Sequence, residues 1–238
     1  MELIAEVEPT RSREKLEAWI PPLRGLVDWV DIPESPLGVA RAHSIAVAHF
    51  IEDRYGLPGI AHLRTQDTNE VGLRSLVGAA VLLGLRRLVL LRGDPPRGAA
   101  PCGGPGPEEG VAVAREHGLG RLEVGLLLSA RKSPAEIRGR LSRRPDFALV
   151  LNATPQRLEL VGGIARKWGV RLYAYMIVET KSNRWITGRL PPYTPRYTAE
   201  EAPEAAELLA RHADGIVLSV PGDYRGMAEI AERLRGRL

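Results

Sequence analysis

The sequence predicts a (β/α)8 barrel, an α/β fold made by one domain over residues 1–238. Three observations point there. Eight short runs rich in Leu or β-branched residues alternate with helical patterns along 238 residues, a length that suits one barrel. Several runs are almost wholly apolar, as parallel strands buried on both faces must be. No Gly-x-Gly-x-x-Gly follows the first run, which weighs against an open sheet built around a dinucleotide.

The predicted strands are Leu3–Glu8, Trp29–Ile32, Gly59–Arg64, Arg87–Leu91, Leu122–Leu128, Phe147–Leu151, Arg171–Val178 and Gly215–Val220. Between them lies helix punctuation. Leu73, Leu76, Val77, Ala80 and Val81 form a helical stripe, and Asn69 is placed to cap it. Ser133-Pro134-Ala135-Glu136 is a capping box with Pro at the first helical position, and Thr154-Pro155 repeats the cap-then-Pro signal. Thr198-Ala199-Glu200-Glu201 is a second capping box. Gly56, Gly84, Gly118 and Gly169 fall where helices should end, just before the next strand.

Two connections exceed ordinary turns: the Gly/Pro-rich Pro95–Pro107 and the aromatic, basic Glu179–Tyr197. Both follow strands, so both belong to the barrel's C-terminal face, where such folds carry their chemistry. Each reads as a functional lid or as a loose surface segment.

Composition narrows the classes. Apolar residues at 44% and charged residues at 26% are ordinary for a globular core and its surface. The net charge of +4 is modest and its arginines are dispersed, so no tract for nucleic acid stands out. No apolar stretch is long enough to span a bilayer. The acidic start Met1-Glu2-Leu3-Ile4-Ala5-Glu6 lacks the order of a signal peptide, and a lone Cys102 allows neither an internal disulfide nor a Cys-rich metal site. A cytoplasmic enzyme or binding protein without metal is the economical expectation.

Candidate site residues sit at strand ends. Glu6 and Glu8 point to one side of the first strand, and a carboxylate there must be solvated, paired or used. General acid–base work and an ion pair with Arg64 or Arg92 are equally compatible with the spacing. In the third strand His62 leads into the polar run Arg64-Thr65-Gln66-Asp67, either as a structural histidine or as part of a site. The fourth strand runs straight into Leu91-Arg92-Gly93-Asp94-Pro95-Pro96. Arg92 offers a fork of donors, Gly93 permits close backbone approach, and Asp94 supplies an acceptor. The alternative is an Arg92–Asp94 pair closing the rim.

At these residues the chain resembles the methylenetetrahydrofolate reductase family. The matching stretches are Ala5-Glu6-Val7-Glu8-Pro9, Ile32-Pro33-Glu34-Ser35-Pro36-Leu37-Gly38, His62-Leu63-Arg64-Thr65-Gln66-Asp67-Thr68-Asn69, Leu76-Val77-Gly78-Ala79 and Leu91-Arg92-Gly93-Asp94-Pro95-Pro96. They keep the family's order across roughly the first hundred residues. The resemblance implies a barrel that binds FAD, which NAD(P)H reduces and which passes hydride to the methylene carbon of a tetrahydrofolate or related pterin, giving the methyl form. Through it Glu6 is implied as the general acid and Asp94 as the aspartate beside the flavin. His62, Arg92, Gly93 and Asp94 match cofactor-contacting positions, and Arg140 falls near the expected FAD phosphates. The second half departs from the pattern: Val150-Leu151 stand where the family has Thr-Gln, leaving Asn152 as the substrate-binding candidate through a one-residue shift.

These departures keep two other readings open. One is a reductase in which a reduced nicotinamide or a deazaflavin gives hydride directly to the pterin. The other is a non-catalytic barrel acting as a subunit or binding module. A homo-oligomer is compatible with all three.

Overall fold

The computed structural model describes residues 1–238. Eight parallel strands form the barrel: β1 Glu2–Glu6, β2 Trp29–Ile32, β3 Gly59–Arg64, β4 Arg87–Leu91, β5 Glu123–Ser129, β6 Phe147–Leu151, β7 Arg171–Glu179 and β8 Gly215–Ser219. Each pairs with the next, and β8 pairs with both β7 and β1, which closes the sheet. The outer layer is α1 Arg13–Trp19, α2 Ser44–Tyr55, α3 Glu70–Leu82, α4 Pro107–His117, α5 Pro134–Leu141, α6 Pro155–Ala165, α7 Ala202–Ala210 and α8 Tyr224–Arg235. This is the predicted TIM-barrel alternation. No helix is long and apolar enough to cross a membrane.

Local chemistry accounts for most element ends. Asn69, Ser133 and Thr154 cap α3, α5 and α6 through their side-chain oxygens, as expected. Thr198 and Glu201 exchange hydrogen bonds at 3.2 and 2.8 Å, but α7 begins only at Ala202, so the expected box forms the turn ahead of the helix. Gly118 ends α4 with φ −75°, and the left-handed turn passes to Leu119 and Gly120. β1 stops at Glu6 rather than Glu8. Val7 N–H still reaches the Asp31 carbonyl at 2.8 Å, while Glu8 N–H turns to the Tyr224 hydroxyl at 2.9 Å.

Strand alternation divides the core in two. Outward residues join the helices in a cluster of 54 buried side chains. Inward residues fill the barrel with Ile4, Trp29, Ile60, Val89, Phe147, Leu149, Tyr173, Tyr175 and Val217. Gly125 makes room for this filling, because a Cβ there would collide with the Phe147 ring.

The N-terminal end of the barrel is shut by ions. The buried Arg87 donates to Glu2 at 3.0 and 3.1 Å and to Glu123 at 2.6 Å, and its guanidinium lies 4.0 Å over the Trp29 ring. Arg171 adds a pair with Glu123 at 2.7 Å, and the Tyr173 hydroxyl donates to Glu2. Every charge in this plug has a partner, so it closes the barrel floor and leaves the opposite end for function.

Candidate active site

The inward positions nearest the C-terminal ends of the strands are not apolar. Glu6 on β1 is in register with Asp31 on β2, and strand parity turns both into the barrel. His62 from β3, Tyr175 from β7 and Ser219 from β8 meet them there. His62 Nε2 lies 2.7 Å from Asp31 Oδ1, and the Tyr175 hydroxyl donates to Asp31 Oδ2. The same hydroxyl oxygen is 3.5 Å from Glu6 Oε1, and the Ser219 hydroxyl donates to Glu6 Oε2. Asp31 is fully buried and His62 is 2% exposed, whereas Glu6 keeps an edge at the mouth.

Electrostatics follow from this enclosure. Burial, with the Asp31 charge next to it, pushes the Glu6 carboxyl up to about 7. For His62, burial disfavours the charged ring, but the charge and hydrogen bond of Asp31 outweigh it and the pKa rises. Burial and both carboxylates hold the Tyr175 phenol far above its usual range, so it remains a donor. A carboxylic acid that carries a proton near neutrality can act as a general acid.

Above this cluster the loops after β2, β3 and β4 lock together. The buried Arg64 donates to the Asp67 carboxylate at 2.6 Å, to the Ser35 carbonyl at 2.8 Å and to the Asp94 carbonyl at 2.6 Å. Gln66 donates to the same Asp94 carbonyl, and the Asp94 carboxylate accepts the Leu37 N–H at 3.1 Å. Gly38, at φ +71°, lies so close that a Cβ would collide with the Pro95 carbonyl oxygen. Arg97 N–H reaches the Gly38 carbonyl at 2.9 Å, and Cys102 N–H reaches Gln66 at 2.7 Å. The loop after β4 is thus tied down at several points along its length. The loop after β7 is also ordered by local bonds: a helical turn at Arg184–Thr187 and the buried Asn183, whose side chain binds Val178 and Thr180. Arg131 stacks on its Tyr193 at 3.5 Å.

The sequence-predicted residues fall into groups. Glu6 and His62 meet in the buried cluster. Gly93 and Asp94 lie in the rim, with Gly93 packed so that a Cβ would stand 2.8 Å from the Arg64 guanidinium carbon. Arg92 is exposed and makes no ion pair. Neither sequence-level salt-bridge alternative forms: Arg64 pairs with Asp67, Glu8 with Arg41 at 3.4 Å, and Asp94 is held by backbone. Arg140 stands apart, on α5 with its Nε 2.6 Å from Glu108 of α4. Asn152 follows β6 at φ +56°, donates to Ser129 at 3.2 Å, and keeps a buried Oδ1 without a partner. Leu151, just before it, packs with Leu127 against the barrel filling.

Asp31, Tyr175 and Ser219 were not singled out by sequence reasoning. Asp31 carried a usable signal, since a lone carboxylate inside Trp29-Val30-Asp31-Ile32 raises the same question as Glu6. Tyr175 and Ser219 carried little, because only the closed sheet brings β7 and β8 beside β1.

Comparison with known proteins agrees at two levels. Among solved structures, tryptophan synthase from M. tuberculosis in an open form with BRD0059 bound superposes with TM-score 0.63 at 14% identity, covering 99% of this chain and 91% of that one. A protein from Aquifex aeolicus VF5 superposes with TM-score 0.63 at 13% identity, over 100% and 92% of the two chains. At such identities the likeness shows the barrel alone. No curated protein sequence matches the chain. The family model described as Methylenetetrahydrofolate reductase matches residues 14–114, a span that holds Asp31, His62, Arg64 and the Arg92–Asp94 run. Over those residues, which span β2 to α4, the chain is similar to the methylenetetrahydrofolate reductase family.

Proposed function

We propose that this protein reduces a methylene-tetrahydropterin, folate or a close analogue, to its methyl form, with hydride drawn from NAD(P)H through FAD. The observation that carries the reading is Glu6: a carboxyl that holds a proton near neutral pH, on the first strand, at the open end of a barrel with a family match. Glu6 would give its proton to the pterin nitrogen whose bond to the bridging methylene opens, leaving an electrophilic iminium. General acid catalysis of this kind is worth about 10²- to 10⁴-fold. A bound flavin would supply the hydride. The unpaired, exposed Arg92 fits the anionic end of such a cofactor, and Asp94 stands beside it on the rim. Asn152 Oδ1, buried and unpartnered, is an acceptor suited to a substrate N–H.

The commitments of His62 favour a second reading. Its Nε2 is bound to Asp31 and its ring is buried, so it offers little to a flavin approaching the rim. In that reading the reduced nicotinamide or a deazaflavin transfers hydride directly to the pterin.

One preparation separates these readings. Purified protein with flavin absorbance, and turnover of methylene-tetrahydrofolate that needs FAD, would support the first. Turnover by colourless protein would support the second. Absence of turnover with folate and archaeal pterins, with or without FAD, would refute both and favour a binding module.

A further inference from the structure

We infer that Asp31 is a positioning residue that takes both neutralising donors of the buried cluster and so leaves the proton on Glu6. The argument is one of hydrogen-bond supply. Tyr175 has a single hydroxyl proton and two carboxylates within reach. It donates to Asp31 Oδ2, and Asp31 Oδ1 is occupied by His62 Nε2 at 2.7 Å. Asp31 is therefore fully enclosed with a hydrogen-bond partner on each oxygen. Glu6 receives one close donor, the Ser219 hydroxyl on Oε2. Its Oε1 has only the Tyr175 hydroxyl at 3.5 Å, a long contact from a group whose single proton lies much closer to Asp31 Oδ2.

Nothing else on the surrounding elements changes this assignment. The groups facing Glu6 are Asp31 from β2, His62 from β3, Tyr175 from β7, Ser219 from β8 and, more distantly, Tyr224 from α8. Glu34 bears on His62 and adds negative charge. Glu8, the next carboxylate along β1, is exposed and paired with Arg41. No arginine reaches the cluster, since Arg64 is held by Asp67, Ser35 and Asp94. Two carboxylates in one enclosure cannot both ionise cheaply, and the donors decide which one does.

The inference rests on the reading of Glu6 as proton donor, but its test needs no turnover. Infrared difference spectra across pH follow the carbonyl band of the protonated Glu6, assigned by its loss in Glu6→Gln. The band should titrate near 7 in the parent protein. In Asp31→Asn, which keeps the shape and removes the charge, the midpoint should fall by at least a unit, a tenfold loss of proton affinity. Tyr175→Phe takes one donor from Asp31 and leaves the other, so the proton should pass partly to Asp31 and the Glu6 midpoint should fall by less than in Asp31→Asn. If Asp31→Asn folds, by circular dichroism, and leaves the midpoint unchanged, the inference is wrong. If it does not fold, Tyr175→Phe decides: an unchanged or raised midpoint would mean that the donors on Asp31 do not place the proton, and the inference is wrong. A band that behaves as expected in a protein without reductase activity would sustain this inference and overturn only the proposed reaction.

Discussion

Replacing Glu6 by Gln should flatten part of the pH dependence of stability. The native carboxyl is raised from 4.5 to about 7, so the folded protein holds a proton that the unfolded chain releases. Its stabilising contribution is complete below pH 4.5 and is lost as pH rises through 7. Raising a carboxyl from 4.5 to about 7 corresponds to about 3 kcal/mol, and the edge that Glu6 keeps at the mouth makes this an upper figure. Glutamine has the same shape, can accept from Ser219, and never ionises. Urea unfolding followed by tryptophan fluorescence, from pH 4.5 to 8.5, should therefore show the parent losing about 2–3 kcal/mol more than Glu6→Gln. His62, also raised, loses its contribution in the same direction in both proteins, and the difference curve largely removes it. Parallel curves, within about 0.5 kcal/mol at all pH values, would refute the placement of a proton on Glu6.

Two further outcomes test the frame around the site. Gly38→Ala should cost about 2–4 kcal/mol, from left-handed strain plus the clash with Pro95, and should open the loop after β4 to proteases. Gly25→Ala, at φ +78° with open space around it, should cost only about 1 kcal/mol; equal effects would mean the contact between the two loops is not restrictive. At the barrel floor, Arg87→Met should cost about 2–3 kcal/mol in chemical denaturation, discounted for the partial exposure of Glu2 and Glu123, and leave the Glu6 titration in place. Glu2 is depressed because its bonds to Arg87 and Tyr173 outweigh its burial, so its contribution is present above its unfolded pKa and fades as pH falls through the folded one. An Arg87→Met protein as acid-resistant as its parent, relative to neutral pH, would sustain the acid loss without Arg87 and contradict this account.

Much of the fold was legible because short apolar runs and helix punctuation are local signals. Trp29–Ile32, Gly59–Arg64, Arg87–Leu91 and Phe147–Leu151 end where their sequences predict, each bounded by a Gly, Pro or charged residue. The candidate site was legible where a strand end carries polar groups out of keeping with its apolar run, as at Glu6, His62–Asp67 and Arg92–Asp94. What escaped is what closure creates. Tyr175 meets Asp31 across 144 positions and Ser219 meets Glu6 across 213, and no local pattern encodes such meetings. The Arg64 clamp escaped for a related reason: its strongest contacts include backbone carbonyls of Ser35 and Asp94, which leave no mark in side-chain chemistry.

The two walls of the barrel mouth also differ in kind. Strands β1, β2, β3, β7 and β8 supply Glu6, Asp31, His62, Tyr175 and Ser219, while β5 and β6 supply Leu127 and Leu151. An apolar wall opposite a buried acid lowers the dielectric around its proton, and this burial is the largest influence raising Glu6. Leu151 stands where the resembling family places a glutamine for its substrate. If this wall helps to desolvate Glu6, Leu151→Gln should lower the Glu6 midpoint read by infrared titration, and an unchanged midpoint would refute the link.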